Sequence, residues 1–577
     1  MDLIALYGTD KPPRLSQVLR AGDAQVTLDT GQLRHLRMGG VEAIRAVSFL
    51  VRDRDWGTVE PHITDLTVKE GRVTYAARYD LGGGSLTAQV ALTLTPASLT
   101  AEVVAVAHGT VETNRAGFTV LHPIEGVAGA PVLVGHPEGV EEAHFPALIE
   151  PWQPFKEITS LTHQAGGLRI ECRLDGDVFE MEDQRQWGDA SFKTYNRPLA
   201  RPWPYVISDG EEVRQTVRIT WSPAPAAAPV PPIRAQVPDP RFPETALVLT
   251  AADARRAAAN SDDLRCIGAQ RVLCHLDIAA GHGVAELRDF AVLQAALPDL
   301  AYDLELIAAC PAQGSLAAEF AGHAADLAAS GFRPASIMTC PAVDRQSTPP
   351  GSDWPPCAPL TAIHAAARAA FPGMVLGGGM ASFFPELNRK RPPDDAWDFV
   401  THGLCPIVHA ADDLSVMETL QAVPHILVSA RAIIGDRDYR LGPSTIAMRQ
   451  NPYGSRTIPN PDRDRVCMTD DDPRQDGAFA AAWTLGLAAT IAPAGVTVWT
   501  PAALYGPRGL IRNDGSLRPL AAVVQALAAQ AGNPVRRATV ADGQAVITFD
   551  DATLTANLTP DGPDPFGWQS RPPSPKS

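Results

Sequence analysis

The pattern of the sequence changes at one proline-rich segment, and this change most constrains what the chain can fold into. Residues 222–240 hold seven prolines, which fix φ and remove backbone donors, so we expect an extended linker there. Before the linker, apolar and polar residues alternate with a period of two. After it, short apolar runs alternate with alanine-rich helical segments. The chain of 577 residues is therefore expected to contain two regions of different architecture.

The first region, residues 1–221, predicts an antiparallel β-sandwich. Runs such as AQVTLD (24–29), SLTAQVALTLT (85–95) and VRQTVRITW (213–221) alternate apolar and polar residues, and the turns between such runs are rich in glycine, aspartate and proline. Half-buried strands have this period, and many short strands without long helices between them are typical of a sandwich.

The second region, residues 241–532, predicts a (β/α)₈ barrel. Eight apolar runs are candidate strands, and amphipathic helices separate several of them. The runs lie at 246–250, 271–277, 303–309, 335–340, 374–378, 397–402, 439–447 and 495–500. Eight such units match a barrel better than an open doubly wound sheet, whose G-x-G-x-x-G fingerprint is missing.

The C-terminal part returns to alternation. A last helix is expected at 515–530, and residues 533–558 predict β-strands. Because a lone pair of strands cannot bury its apolar face, we expect these strands to complete the N-terminal sandwich. The proline-rich residues 559–577 are expected to form a disordered tail.

Composition narrows the choice of partners and compartment. The formal net charge of -16 opposes binding to nucleic acid or to anionic lipid. The segment MDLIALYGTDKPPR lacks a basic region followed by a long apolar stretch, and no run of 18 apolar residues occurs, so we expect neither export nor a membrane span. The eight cysteines are scattered and mostly lie in apolar runs, which favours free thiols in the cytoplasm. No zinc motif, phosphate loop or G-x-S-x-G elbow occurs, so no cofactor is expected; metal dependence and oligomeric state stay open.

The densest polar segment is FEMEDQRQWGDASFKTYNRPLARPWPY, at 179–205. A strand there would place Glu180 and Glu182 on one face and Asp183 on the other. Two carboxylates that share a site repel each other, which raises one pKa and creates a candidate general acid or base. The alternative is a solvated strand face paired with nearby arginines, although the surrounding aromatic residues favour a partly enclosed surface.

A second segment follows the fifth predicted barrel strand. GGGMASFFPELNRKRPP offers Glu386, Asn388 and Arg389 on the face where barrel enzymes bind ligands. These side chains suit polyhydroxylated or carboxylate-bearing ligands. Alternatively, Glu386 only pairs with Lys390 at helical i,i+4 spacing.

A third segment follows the next strand. His402 ends that strand, and His409 and Asp412 precede a helix, where a histidine and a carboxylate can form a proton-transfer pair or bind a metal. The alternatives are a hydrogen-bonded core histidine and an aspartate that complements the helix dipole. Ser415 and Glu418 have the spacing of a capping box.

A fourth segment, GPSTIAMRQNPYG, carries Arg449, Asn451 and Tyr453 after a predicted strand. Arginine and asparagine there would donate to an oxyanion or to sugar hydroxyls. Turn chemistry alone explains the Asn-Pro and Tyr-Gly pairs, so Arg449 is the more informative residue. A weaker segment holds Asn114 and His122.

These segments resemble the D-apionate lactonases, bacterial sugar-catabolic enzymes that hydrolyse D-apionolactone to D-apionate. The resemblance is carried by long, unusual strings, namely LRHLRMGGVEAIRAVSFLVRDRDWGT, NRAGFTVLHPIEGVAG, FEMEDQRQWGDASFKTY, GGGMASFFPELNRKRPP, DFVTHGLCPIVHAADDLSVMETL and GPSTIAMRQNPYG. It implies a β-sandwich joined to a (β/α)₈ barrel with a small C-terminal β-part, and a small sugar lactone as the substrate.

Lactone hydrolysis needs an activated water, a stabiliser for the tetrahedral oxyanion and an acid for the departing alkoxide. Our hypothesis is that Glu182 or His409 is the general base and that Arg449 or His402 faces the oxyanion. The candidate substrate-binding residues are Glu180, Asp183, Glu386, Asn388, Arg389, Asp412, Asn451 and Tyr453. This hypothesis expects the strand near residue 180 to fold over the mouth of the barrel.

Two other function classes fit the same pattern. A glycoside hydrolase with paired carboxylates is one. Its large retaining clan resembles this chain in outline, but the strand-end positions of its acids read Thr339-Cys340-Pro341 and Pro443-Ser444-Thr445 here. A carbohydrate-binding protein without catalysis is the other.

Overall fold

The chain divides into two units. The structure, a computed structural model, describes residues 2–54, 56–225, 231, 233–393, 396–454 and 456–572. The sandwich unit comprises Pro13–Arg185 and Ala190–Ile233, and the barrel unit comprises Met1–Pro12, Gln186–Asp189 and Arg234–Ser577. Residues 226–230 and 232 of the predicted linker lie outside the described residues.

The sandwich unit contains eighteen strands in its described residues. They are β1 (Ser16–Ala21), β2 (Ala24–Asp29), β3 (Gln32–Met38), β4 (Val41–Arg52), β5 (His62–Lys69), β6 (Arg72–Leu81), β7 (Gly84–Leu94), β8 (Ser98–Gly109), β9 (Val111–Thr113), β10 (Arg115–His122), β11 (Pro131–His136), β12 (Gly139–His144), β13 (Ser160–Ala165), β14 (Leu168–Asp175), β15 (Glu180–Asp183), β16 (Phe192–Tyr195), β17 (Tyr205–Ile207) and β18 (Glu212–Pro223).

Two antiparallel sheets form the sandwich. The seven-stranded sheet has the order β1-β2-β3-β4-β10-β16-β15, and the nine-stranded sheet has the order β12-β11-β13-β14-β18-β8-β7-β6-β5. Phe49 and Phe118 of the first sheet meet edge to face, and Phe49 meets Tyr79 of the second sheet in the same way. Alternate residues of each strand fill this core, as the period of two predicted.

The barrel unit is built on eight parallel strands that close on themselves. The strands are β19 (Glu244–Leu249), β20 (Arg271–Asp277), β21 (Ala301–Ala308), β22 (Ser336–Pro341), β23 (Val375–Phe383), β24 (Phe399–Leu404), β25 (Asp438–Ser444) and β26 (Val498–Ala503). Each overlaps one of the eight predicted runs, so the barrel prediction is confirmed.

The described helices are short at the N-terminus and longer around the barrel. They are α1 (Leu3–Tyr7), α2 (Ala251–Ala259), α3 (Asp262–Ile267), α4 (Val284–Ala296), α5 (Leu316–Ser330), α6 (Leu360–Ala370), α7 (Phe384–Arg389), α8 (Asp413–Ile434), α9 (Ala478–Ile491) and α10 (Pro519–Ala528). None of the helices in the described ranges is both long and apolar enough to cross a membrane.

The interior of the barrel is charged near both ends of its strands. Near the amino ends, Asp303 binds Arg271 and also Arg440, whose guanidinium lies over the ring of Phe399. Towards the carboxyl ends, Glu305 binds Arg449. Apolar side chains such as Met338 and Phe399 lie among these groups, so each buried charge has to be neutralised by a partner inside the barrel.

The C-terminal strands form a sheet of their own. The strands β27 (Arg537–Ala541), β28 (Gln544–Thr548), β29 (Thr553–Asn557) and β30 (Trp568–Arg571) pair in that order. They add to neither sheet of the sandwich unit, in contrast to our expectation. The reason is that α9 is apolar all round and covers this sheet, so its buried face needs no other partner.

Part of the expected tail is ordered. Residues 559–572 are described and include β30, while residues 573–577 lie outside the described residues. Phe566 is buried, with its ring 5.5 Å from Tyr7 and 5.0 Å from Phe479 between centroids. An aromatic residue in a proline-rich stretch thus anchors the segment to α1 and α9.

We predict that Phe566→Ala lowers the free energy of unfolding of the barrel unit by about 3–5 kcal/mol, because it empties a buried aromatic site. Thermal unfolding followed by circular dichroism measures this effect. Val540→Ala, on the half-exposed strand β27, is the matched control and should change little. An unchanged melting temperature for Phe566→Ala would show that the segment does not support the barrel.

Candidate active site

Three buried or half-buried polar groups form an inner triad at the carboxyl end of the barrel. His275 on β20 and Glu305 on β21 point inward, and Arg449 follows β25 in sequence. Arg449 donates from Nη1 to Glu305 Oε2 at 2.9 Å and from Nη2 to Oε1. The Nδ1 atom of His275 lies 2.7 Å from Glu305 Oε1 and 2.8 Å from Arg449 Nη2.

The electrostatics of the inner triad favour an ionised carboxylate and a neutral imidazole. Burial alone would raise the pKa of Glu305, but Arg449 and the hydrogen bond from His275 hold it well below its usual range. Burial, followed by the positive charge of Arg449, lowers the pKa of His275. The charge of Arg449 is therefore already used to stabilise Glu305.

A second pair lies beside the triad. Asp277, the last residue of β20, accepts a hydrogen bond from Arg345 in the loop after β22. Its backbone N–H donates to His282 Nδ1 at 3.1 Å. The ring of His282 lies 6.4 Å from that of His275 between centroids.

His409 and Asp189 form a His409 dyad within the barrel unit. His409 Nδ1 lies 2.7 Å from Asp189 Oδ2, and both side chains are about 15% exposed. The ring of Trp187 meets that of His409 edge to face, with 5.7 Å between centroids. It also lies tilted against the ring of Tyr453, with 5.3 Å between centroids. A carboxylate on Nδ1 fixes the orientation and the tautomer of the ring, as it does in histidine general bases.

The predicted residues of α7 form a third group. Glu386 accepts from Ser347 Oγ at 2.6 Å and from Arg389 at 3.1 Å. Burial, the largest effect, raises the pKa of Glu386 despite Arg389. Lys390 binds Asp344 at 2.8 Å and not Glu386, so the i,i+4 alternative is wrong.

One cation near the same end of the barrel has no carboxylate partner in the described part of the chain. Arg508, in the loop after β26, donates from Nη1 to the backbone oxygen of Met448 at 3.2 Å. Burial, followed by repulsion from Arg449, lowers its pKa. Four other cations at this end are each paired with a carboxylate, namely Arg345, Arg389, Lys390 and Arg449.

The structure places three predicted residues in structural roles. His402 is fully buried, with its ring nitrogens on Gly403 O at 2.9 Å and on Tyr439 Oη at 2.8 Å. Asp412 is the N-cap of α8 and accepts from the N–H of Ser415. The capping-box prediction, which began this helix at Ser415, is corrected because Ser415 lies in the first turn. Asn451 caps its own turn by accepting from the N–H groups of Tyr453 and Gly454.

The predicted carboxylates near residue 180 lie in the sandwich unit. Glu180 accepts from Tyr195 Oη at 2.6 Å, and Glu182 pairs with Lys193 at 3.0 Å. Asp183 is fully buried and holds Arg185 through both carboxylate oxygens. Asn388 is buried in the barrel unit at the end of α7.

Sequence reasoning missed His275, Glu305, Asp189 and Arg508. The first two carried a visible signal, since polar residues two positions apart in an apolar strand, such as H and D in RVLCHLD or D and E in DLELIAA, indicate the inside of a barrel. Asp189 lay inside a segment that was singled out, but its partner is 220 positions away in sequence. Arg508 carried no local signal.

Across the described ranges, no three side chains of His, Cys, Asp or Glu are grouped closely enough to hold a metal ion.

A closed (β/α)₈ barrel with an oriented histidine and arginine–carboxylate pairs at the carboxyl ends of its strands is the architecture of a barrel enzyme. A family model described as the D-apionate lactonase TIM barrel domain matches residues 245–532, and one described as the D-apionate lactonase N-terminal domain matches residues 4–224. The D-apionate lactonase of Brucella anthropi is 46% identical over 553 residues, which cover 92% of this chain and 90% of that protein. The chain belongs to the D-apionate lactonase family.

Solved structures overlap this chain only loosely. An endoxylanase from Clostridium papyrosolvens matches with a TM-score of 0.33 at 9% identity, over 57% of this chain and 83% of its own. An α-galactosidase from Geobacillus stearothermophilus matches with a TM-score of 0.26 at 9% identity, over 94% of this chain and 91% of its own. The family membership rests on the sequence matches.

The lowered pKa of His402 predicts how the free energy of unfolding changes with pH. Burial lowers it from 6.5 to about 4, so between these pH values the unfolded chain binds a proton that the folded chain does not. Above pH 6.5, this difference contributes about 3 kcal/mol to the free energy of unfolding, and the contribution is lost as the pH falls towards 4. We predict that His402→Gln has a lower melting temperature than the parent protein at pH 7.5. On acidification to pH 5, the melting temperature of the variant should fall less than that of the parent.

Thermal unfolding at the two pH values checks this prediction. The exposed His62 provides the control variant His62→Gln, which should keep the acid dependence of the parent protein. If His402→Gln loses as much stability on acidification as the parent, the buried neutral histidine is not the cause.

Proposed function

We propose that this chain hydrolyses a sugar-acid lactone, D-apionolactone, to D-apionate. The observation that carries the proposal is the His409 dyad in a chain of the D-apionate lactonase family. Asp189 holds the proton of His409 on Nδ1, so that Nε2 can take a proton from water. The activated water then adds to the lactone carbonyl, and the same proton goes to the departing ring oxygen.

Arg508 is the donor that best suits the tetrahedral oxyanion. Arg449, one of the two candidates from the sequence, already neutralises Glu305 through both terminal nitrogens. Arg508 has no carboxylate to neutralise among the described residues and lies beside Met448, next to Arg449. A guanidinium without an internal counterion favours the state of the reaction that carries negative charge.

The rings of Trp187 and Tyr453 offer an apolar surface beside His409, against which the carbon face of a small sugar can pack. Glu386, Arg389 and Asn388 remain candidates for the sugar hydroxyls. Glu182, the other candidate base, is held by Lys193 at 3.0 Å, which makes it the weaker choice.

His275 is the second candidate base, since it also contacts a carboxylate. Catalysis would create an imidazolium next to the guanidinium of Arg449, and this like-charge contact opposes it. His275 and His409 therefore differ in the charge of the neighbouring side chain, and the kinetics of variants at each position can show which one is the base.

The glycoside hydrolase alternative gains no support at the strand ends. The fourth barrel strand ends at Pro341 after Thr339 and Cys340, and the seventh ends at Ser444. None of these residues can act as the carboxylic acid that this reaction needs.

We also propose that no cofactor is needed and that the protein works in a reducing compartment, the cytoplasm. The cysteines of the described chain are free, and five of the eight are buried. Acid release from purified aldonolactones, followed by pH-stat with and without a chelator, tests both the reaction and the metal requirement. No acid release from D-apionolactone would end the proposal, and loss of activity with chelator would reveal a metal requirement.

We predict that Asp189→Asn lowers kcat by about 10²- to 10⁴-fold with little change in KM, because the ring of His409 loses its orientation and its counterion. His409→Ala should show a loss of similar size. Asp299→Asn, at an exposed aspartate, is the control. Full activity of Asp189→Asn together with a large loss in His275→Gln would move the base role to the inner triad.

We predict that Arg508→Gln lowers kcat/KM by about 10²- to 10³-fold, as expected for an oxyanion donor. Arg508→Lys should recover part of this loss because it keeps the charge. The exposed Arg537 supplies the control Arg537→Gln. Equal kinetics for Arg508→Gln and the parent protein would exclude the role.

A further inference from the structure

One face of the seven-stranded sheet carries charged groups instead of an apolar core. Strand register places Arg115 opposite Arg52, Tyr195 opposite Glu180, and Lys193 opposite Glu182. Because side chains alternate between faces, these residues lie on the same side of β4, β10, β16 and β15. We call Arg52, Arg115 and Lys193 the cationic face.

Arg115 is a residue of this face that makes no salt bridge within the part of the chain that the structure describes. It is only 5% exposed, and its guanidinium donates to no carboxylate or carbonyl among the described residues. Its Nε atom is fully buried and makes no hydrogen bond. The guanidinium carbon lies 3.9 Å from the ring centroid of Tyr195 and 5.5 Å from that of Trp56.

The neighbouring charges are already matched. Lys193 binds Glu182 at 3.0 Å, Glu180 accepts from Tyr195 at 2.6 Å, and Arg52 donates to the backbone oxygen of Trp56 at 3.3 Å. Lys193 thus has a salt bridge, whereas Arg115 has none among the described residues.

Two aromatic rings lie close to the guanidinium, and no hydrogen-bond acceptor of the described chain lies on its Nε atom. Cation–π contact compensates only part of the cost of burying a charge. A planar guanidinium whose faces are covered can still form two parallel hydrogen bonds in its own plane, and a carboxylate matches that geometry. One monoanionic carboxylate would therefore complete the site.

An aromatic rim lies next to this position. The rings of Trp56 and Trp203 meet at 5.2 Å between centroids, and Trp203 is 36% exposed. Tryptophan faces commonly pack against the carbon face of sugars and other amphipathic ligands. The neighbourhood thus suits a ligand with a carboxylate at one end and a hydroxylated carbon chain at the other.

We propose that Arg115 binds the carboxylate of a sugar acid on the sandwich unit, with Trp203 against its carbon chain. The identity of the ligand rests on the proposed function, since ring opening of an aldonolactone yields such a monoanion. Lys193 supports the assignment: burial lowers its pKa, and the charges of Arg115 and Arg52 add to this while Glu182 opposes it. A bound carboxylate would relieve that repulsion.

Isothermal titration of the full-length protein with sodium D-apionate tests the proposal, with D-gluconate and acetate as comparison ligands. We expect saturable binding of D-apionate that weakens by at least about 30-fold in Arg115→Gln, because a buried charge contact is lost. Arg115→Lys should lie between the two, since it keeps the charge but loses the bidentate geometry. Acetate should bind more weakly than either sugar acid because it offers nothing to Trp203.

Arg218→Gln, at an exposed arginine of β18, is the matched control and should bind as the parent does. Thermal unfolding shows whether Arg115→Gln folds; if it does not, Trp203→Ala replaces it, with a weaker but measurable loss of affinity expected. Equal affinity in the parent, Arg115→Gln and Trp203→Ala would overturn the site. Acid release by the parent protein is measured separately, so an inactive lactonase that still binds D-apionate through Arg115 would refute the proposed function and leave this site standing.

Discussion

The pairing of Glu305 with Arg449 inside the barrel is the interaction on which the rest of the candidate site depends. A carboxylate fully buried among barrel side chains is stable only with a matched cation, and Arg449 supplies it through both terminal nitrogens. Since Arg449 lies in the loop after β25, this contact also fixes the segment that carries Tyr453. The geometry around His409 thus depends on charge neutralisation deeper in the barrel.

The cations of the two units differ in whether they bind a carboxylate. Arg345, Arg389, Lys390 and Arg449 are each bound to a carboxylate, and such pairs hold loops in place. Arg508 in the barrel unit and Arg115 in the sandwich unit have no such partner among the described residues. A lactonase converts a neutral ester into an anion, and a guanidinium without an internal counterion favours the anionic state.

Local patterns predicted the fold far better than the site. The eight barrel strands and the two sheets follow from periods in hydrophobicity, which short segments express on their own. The packing partner of the C-terminal strands could not be predicted in this way, because either α9 or the sandwich could have covered them. Among the site residues, His409 and Tyr453 were found as members of polar loops, whereas His402 and Asp412 looked equally suitable and serve as a core residue and a helix cap.

The sequence by itself determined the order and type of the elements and the family, since hydrophobic period, turn residues and long shared strings are local properties. Tertiary structure alone decided which polar residues meet. Asp189 and His409, 220 positions apart, come together only after the barrel has closed and the 186–189 segment has packed with it. Which charges remain unmatched is likewise a property of the folded chain, because pairing depends on distances that no local pattern encodes.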